Sequence, residues 1–170
     1  MGITGRAQNS YTMDALTQLK DAGAITASAA CLVGGVARVL DFGFTTPQGV
    51  IQVAYVPGDI VIDVSAIEVA STDEVYMIAY ELSDDTSGNA VGFDAGDVVV
   101  CRGVVMLGCI TTAAYLAGLN MDTMSGTGRI VLGVDNEVQG TLYRYARLAT
   151  YIAGTIATGI NYAAFLSRLG

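Results

Sequence analysis

Hydrophobic and polar positions alternate with period two along several short segments of the chain, as they do in β-strands that bury one face. In residues 74–83 the even-numbered positions from Tyr76 to Leu82 are all apolar. The same is true of the even-numbered positions from Ile160 to Leu166. The pattern therefore predicts two strands whose even-numbered side chains face the core.

The C-terminal stretch from Thr141 to Leu166 is rich in Thr, Tyr, Ile and Phe, which suit a pleated, half-buried surface. Gly154 and Gly159 bracket a predicted turn, so the stretch is interpreted as a hairpin of two strands. Neither face of its first arm is cleanly polar or apolar. Because Arg144 and Arg147 lie among tyrosines, we expect packed surfaces on both sides of this arm.

Turn signals such as Pro57-Gly58-Asp59 separate further predicted strands. These strands cover residues 36–44, 50–56, 60–67, 74–83, 98–110 and 129–135. Before them, a short helix is predicted between Thr12 and Gly23. The predicted fold is all-β: a jelly-roll or related two-sheet β-sandwich over residues 31–170, preceded by an N-terminal arm over residues 1–30.

Composition agrees with a single β-rich domain. The 170 residues are 52% hydrophobic and 14% charged, with 21 glycines, no Trp and no His. So few charges suggest that partners cover much of the surface.

The formal net charge is −8, and 13 of the 16 acidic residues lie in residues 1–97. This acidic excess argues against nucleic acid as a partner, because phosphate contacts need a basic surface. The uneven distribution would allow head-to-tail pairing of copies, unless the strand order mixes the two halves of the chain.

Two uncharged spans, residues 103–121 and 148–167, have the length of a membrane helix. Their Gly, Thr and Asn content favours buried strands instead, so we expect no membrane contact. The start of the chain, MGITGRAQNS, lacks the apolar core of a signal peptide. Cys31, Cys101 and Cys109 are then interpreted as free, buried thiols in a reducing cytoplasm.

The residue types exclude several kinds of chemistry. Without histidine there is no Ser-His-Asp or Cys-His arrangement, and zinc spacing and a phosphate loop are also missing. Two acidic sets remain. The loop from Asp84 to Asp97 is either a cation site or, more simply, a solvated loop. Glu68, Glu74 and Glu81 are either a glycosidase carboxylate set or solvent-facing strand residues. We therefore predict no enzyme activity and no catalytic, cofactor or metal site.

The segment Asn136–Leu148 and the residues that follow it resemble the closing region of tailed-bacteriophage capsid cement (decoration) proteins of the jelly-roll type. The later residues that carry this resemblance are Gly154-Thr155, Thr158-Gly159 and Asn161-Tyr162. A similar outline is found earlier in the polar arm with Leu16, Leu19 and Asp21, in Ala24–Ala30, and in Val39–Gly43.

The resemblance implies a structural virion protein on the outside of an icosahedral head, assembled in the host cytoplasm. Its implied partners are the major capsid protein and itself, as a homodimer or homotrimer, with no cofactor. The candidate interface residues are Arg6, Tyr11, Leu16, Leu19, Arg144, Tyr145 and Arg147. A carbohydrate-binding or host-adhesion β-sandwich on a virion is the alternative, although such sites favour Trp, which is missing here.

Overall fold

The computed structural model describes residues 17–69, 73–84, 92–108 and 127–168, and every regular element in these ranges is a β-strand. The predicted all-β class is confirmed. The strands are β1 (Gln18–Lys20), β2 (Ala24–Ile25), β3 (Ala29–Ala30), β4 (Leu32–Val33), β5 (Val36–Ala37), β6 (Leu40–Asp41), β7 (Gly43–Thr45), β8 (Ile51–Val53), β9 (Gly58–Ile67), β10 (Val75–Ser83), β11 (Val99–Gly108), β12 (Gly128–Val134), β13 (Glu137–Val138), β14 (Thr141–Leu142), β15 (Tyr145–Ala153) and β16 (Ile160–Arg168).

Two five-stranded antiparallel sheets form the body of the molecule. Sheet A has the order β1-β16-β9-β12, and β2 also pairs with β16. Sheet B has the order β11-β10-β15-β3, and β6 also pairs with β15. The remaining strands form three separate hairpins, β4–β5, β7–β8 and β13–β14. This arrangement is a β-sandwich, while the jelly-roll connection pattern stays a prediction.

The core lies between the two sheets, and the predicted alternation identifies it correctly. On β10 the even-numbered residues are at most 1% exposed, and on β16 those from Ile160 to Leu166 are at most 2% exposed. They pack with the even-numbered residues of β9 from Ile60 to Val64. The first arm of the C-terminal stretch, whose inner face the sequence left open, turns Ala146, Leu148 and Thr150 inward, where each is fully buried.

The predicted C-terminal hairpin is wrong. β15 belongs to sheet B and β16 to sheet A, so residues 154–159 connect the two sheets instead of turning within one. The two strands meet through their side chains across the core, where the Thr150 and Tyr162 hydroxyls lie 2.6 Å apart. The connection is fixed by Glu68, whose carboxylate accepts backbone N–H bonds from Ala157, Thr158 and Gly159.

The predicted helix is wrong in the part that the structure describes. Gln18–Lys20 is a strand paired with β16, and Leu19 is fully buried in the core. Pairing with a sheet edge outweighed the weak helical spacing of the leucines. Residues 18–30 contribute β1, β2 and β3, so this part of the predicted arm is built into the sandwich. Residues 1–16 lie outside the described residues.

Two boundaries also differ from prediction. The single strand predicted over 36–44 is divided among β5, β6 and β7, because Leu40 and Phe42 turn into the core while Val36 and Phe44 stay exposed. The turn predicted at Pro57-Gly58-Asp59 is instead the start of β9. Gly58 is needed there because a Cβ would lie 2.7 Å from the Ser167 carbonyl oxygen.

The uncharged span 148–167 consists of β15, its connection and β16, which confirms the prediction of strands. The other span, 103–121, is described only as far as Gly108, and there it belongs to β11. No helix in the described ranges is long and apolar enough to cross a membrane.

Candidate interaction surface

The outer face of sheet B carries aromatic and charged side chains that interact with one another, and we call it the Tyr–Arg surface. Its residues are Glu81, Arg144, Tyr145, Arg147 and Tyr151. Most of them lie on β15, whose odd-numbered residues point away from the core because the even-numbered ones fill it. Glu81 joins them from the neighbouring strand β10, directly opposite Arg147.

Glu81 is the centre of this surface and is only 5% exposed. Its carboxylate accepts a bond from Arg147 Nε at 2.8 Å and a short bond from the Tyr151 hydroxyl. The bond to Glu81 raises the pKa of Tyr151 to about 12. A buried carboxylate needs such partners, because burial without them penalises its charged form. Arg147 and Tyr151 are therefore held in fixed positions.

The loop before β11 packs onto the same surface. The Phe93 ring lies over Arg147, with its centroid 4.2 Å from the guanidinium carbon. Gly92 lies against Tyr145, and a Cβ at Gly92 would be 2.5 Å from the ring. Both loop residues adopt positive φ, 66° and 65°. The contact leaves Tyr145 only 2% exposed.

Arg144 links the surface to the β6–β7 segment. Its guanidinium donates two bonds to the Asp41 carboxylate, at 2.8 Å and 2.7 Å, and lies 4.7 Å from the Tyr145 ring centroid. The hydrogen bond from Arg144 holds the pKa of Asp41 below its usual value. A bidentate contact of this kind fixes the relative orientation of the guanidinium and the carboxylate and also pairs their charges.

Two further arginines form the same bidentate contact elsewhere: Arg102 with Asp135, and Arg129 with Asp63. Both pairs are exposed, so each contributes little to stability. Their consequence is electrostatic, because these positive charges are neutralised within the chain while the acidic excess remains.

The carboxylates considered for glycoside cleavage are not arranged as an open pair. Glu68 is bonded to three backbone N–H groups, which lower its pKa, and Glu81 is bonded to Arg147 and Tyr151. Glu74 is fully buried. In the acidic loop, Asp94 and Asp97 bond to each other's backbone, and no group of ligands in the described residues could hold a metal ion. Residues 85–91 of that loop lie outside the described ranges.

The structure separates the predicted interface residues into three groups. Arg144 and Arg147 keep 19% and 24% of their side chains exposed, as a surface role requires. Leu19 and Tyr145 are buried within the chain, so neither is exposed to a partner in this structure. Arg6, Tyr11 and Leu16 lie outside the described residues. Tyr151, which is not among the predicted interface residues, is 40% exposed on the same face.

A second feature that the sequence did not reveal is a concentration of exposed apolar side chains at one end of the sandwich. We call it the apolar end, and six of the ten large exposed apolar residues belong to it. Its residues are Phe44, Val50, Ile51, Tyr55, Val98 and Val99. The strand register places them at the same end: Val99 lies in one cross-strand row with Ser83, Tyr145 and Asp41, three strands from Asp41, and the β7–β8 hairpin follows Asp41.

Between the sheets lies a small buried polar cluster. The Tyr162 hydroxyl is 3.0 Å from Cys31 Sγ and 2.6 Å from Thr150 Oγ1. Burial raises the pKa of the Cys31 thiol, which makes it a poor nucleophile. Cys31 is thus the free, buried thiol that the sequence predicts, whereas Cys101 is free but exposed, against prediction. Cys109 lies outside the described residues.

Lys20 is 4% exposed, yet its ammonium group is fully used. Nζ donates to the carbonyl oxygens of Asp21 at 2.7 Å, Gly23 at 2.8 Å and Tyr162 at 2.9 Å. Burial lowers the pKa of Lys20. Because each of the three N–H donors of Lys20 has an acceptor, we infer that Lys20 has a structural role and connects β1 to β16.

No family model, curated protein or solved structure matches this chain. The resemblance of Asn136–Leu148 and the residues that follow it to capsid cement proteins stays a prediction.

Proposed function

We propose that the chain is a structural virion protein that binds the outside of an icosahedral phage head and ties major capsid protein subunits together. In this proposal it is assembled onto the head in the host cytoplasm and associates with itself. The observation that carries the proposal is the Tyr–Arg surface, three of whose five residues, Arg144, Tyr145 and Arg147, lie within the segment that resembles cement proteins.

The surface has the composition and rigidity of a protein-binding site. Tyr and Arg are the side chains that most often dominate binding energy at interfaces. Here Tyr151 and Arg147 are partly exposed and are held by Glu81. Side chains fixed before binding lose less entropy when the partner arrives. A rigid, partly exposed Tyr–Arg pair therefore supports a docking role.

The rest of the described chain supports binding more than chemistry. Each of the three candidate carboxylates is either buried or engaged in hydrogen bonds within the chain. A protein that holds a shell together needs complementary surfaces, and many weak contacts on one lattice add up through avidity.

The test uses heads of the encoding phage from which this chain has been deleted. Purified protein is added back, bound copies are counted by gel densitometry, and genome release is followed with a DNA-binding dye during heating. We expect the wild-type protein to bind and to raise the release temperature. Failure to bind, or binding without a shift in that temperature, would refute the proposal.

A matched pair of variants locates the contact. Tyr151→Ala should weaken binding to heads at least about tenfold, as expected for an aromatic at the centre of an interface. Val36→Ala, at a residue that is 70% exposed on the β4–β5 hairpin, should bind as the wild type does. Circular dichroism and thermal melting of both variants establish that each is folded.

A further inference from the structure

The β7–β8 hairpin exposes apolar side chains on both of its faces. Phe44 pairs with Gln52 on one face, and Ile51 pairs with Thr45 on the other. Phe44 is 49% exposed and Ile51 is 54% exposed. Among the described residues neither β7 nor β8 pairs with any other strand, so both outer backbone edges are open. A two-stranded hairpin of this kind is at best marginally stable by itself.

The base of the hairpin is nevertheless rigid. Asn136 is fully buried; its side-chain amide donates to the Ala54 and Tyr143 carbonyls and its Oδ1 accepts the Val56 N–H bond at 2.8 Å. On the other strand, the Phe42 N–H donates to the Arg144 carbonyl at 2.8 Å. The hairpin is therefore presented in a fixed direction even though its outer part is uncovered.

Charge indicates what can cover it. The chain carries a net charge of −8, so two copies repel each other over most of their surfaces. From Phe42 to Gly58, however, the sequence contains no Asp, Glu, Lys or Arg. The hairpin is thus a place where two copies can approach without opposing like charges.

We propose that the apolar end binds the same end of a second copy, with the two hairpins pairing edge to edge across a two-fold axis. Antiparallel pairing makes a four-stranded sheet from two open hairpins and satisfies one exposed edge of each hairpin. Phe44 of each copy then covers apolar surface of the other. The inference rests on the self-association in the proposed function but not on the identity of the capsid partner.

The size of the patch fits such a contact. Aromatic side chains present about 150–250 Å² each when free, so half-exposed Phe44 and Tyr55 together contribute on the order of 200 Å². The exposed Val50 and Ile51 side chains of the hairpin segment add to this area, which approaches the few hundred Å² at which apolar patches mark interaction sites.

Sedimentation equilibrium of the full chain at concentrations from about 1 to 200 μM tests the proposal, a range in which a dimer with a micromolar or tighter Kd is populated. We expect a dimer for the wild type and a shift toward monomer of at least about 100-fold in Kd for Ile51→Asp and for Phe44→Asp, the size of a hot-spot loss. The matched control is Val36→Asp, which adds the same charge to the β4–β5 hairpin and should remain dimeric. Circular dichroism confirms that the monomeric variants are folded.

Hydrogen exchange supplies a second readout that does not depend on any variant. The backbone amides of residues 43–53 should become more protected as the wild-type concentration rises, because edge pairing buries them. A wild-type monomer or closed trimer, or a Val36→Asp variant that dissociates while Ile51→Asp does not, would overturn the inference. Head binding through Tyr151 is measured separately, so its failure leaves this result unchanged.

Discussion

The two ends of the sandwich are closed in different ways. At one end, which we call the closed end, the connection 154–159 is held by hydrogen bonds from its own backbone to Glu68 and Asp73. At the apolar end, the hydrogen bonds from other described elements to the β7–β8 hairpin lie at its base, and the hairpin exposes apolar side chains. None of the ten large exposed apolar residues lies in the connection 154–159. The closed end is held by its own hydrogen bonds, whereas the apolar end leaves large apolar side chains exposed.

The largest expected effect on stability comes from replacing a glycine with alanine, and each end of the sandwich offers one such glycine. Gly159 has φ 73°, and a Cβ there would collide with the Ile25 carbonyl oxygen, whereas Gly49 has φ 80° and nothing within 4 Å. Gly159→Ala should lower the free energy of unfolding by about 4 kcal/mol, from strain plus overpacking. Gly49→Ala should cost only about 1 kcal/mol of strain.

Urea denaturation of the two variants measures this difference. Equal losses of stability would mean that the two ends are packed alike, which contradicts the comparison.

Asn136 tests how firmly the apolar end is attached. Asn136→Ala removes one donor group and one acceptor from a buried site and leaves the Val56 N–H and two carbonyl oxygens without this partner. We expect a loss of about 2–3 kcal/mol in unfolding free energy. Hydrogen exchange of residues 43–53 should also accelerate more than that of the core strands. Gln52→Ala, on the exposed part of the same hairpin, is the control and should change neither quantity.

The closed end should depend on pH through Glu68. Bonds from the backbone of Gly159 and its neighbours lower the pKa of Glu68 below 4.5 in the folded state. Its contribution is therefore present above about pH 4.5 and is lost as the pH falls through the folded pKa. Glu68→Gln should lower the melting temperature at pH 7, by less than Gly159→Ala does, and match the wild type at strongly acid pH.

The control for this experiment is Glu137→Gln in β13, which should follow the wild-type curve throughout. A Glu68→Gln deficit that stayed constant down to pH 2 would show that the carboxylate charge is not what holds the connection.

The smallest effect on stability is expected at Val50, an exposed residue to which the comparison of the two ends assigns no packing role within its own chain. Val50 is 55% exposed at the apolar end. Val50→Thr should change the unfolding free energy of the dilute protein by no more than about 0.5 kcal/mol. A larger loss at low micromolar concentration would mean that Val50 packs within its own chain.

The sequence identified strands and their buried faces well, because burying alternate side chains is a local property. The even-numbered faces of β10 and β16 are examples. Strand partners are not local: nothing in residues 141–166 shows that the Gly154–Gly159 connection crosses between sheets, because the carboxylate that fixes it is Glu68. The same limit explains why the helix predicted before Gly23 is wrong: residues 18–20 pair with β16, which is distant in sequence.

The sequence predicted only part of the Tyr–Arg surface, again because its residues come from distant parts of the chain. Arg144 and Arg147 stood out as charges in an aromatic stretch. Their partners Asp41 and Glu81 are 103 and 66 residues away in sequence. The apolar end left a weaker signal, the uncharged run from Phe42 to Gly58, which an alternating strand pattern also explains.

The position of β16 has a consequence for how the protein is made. This last strand lies inside sheet A, between β1 and β9, and pairs Ala164 with Lys20 near the other end of the described chain. Sheet A cannot close until the ribosome has released residues up to about Arg168. Contacts this distant in sequence make folding slow. One edge of β9 therefore stays unpaired until β16 has been made, even after β12 has paired with the other edge, and this open edge exposes the nascent chain to aggregation.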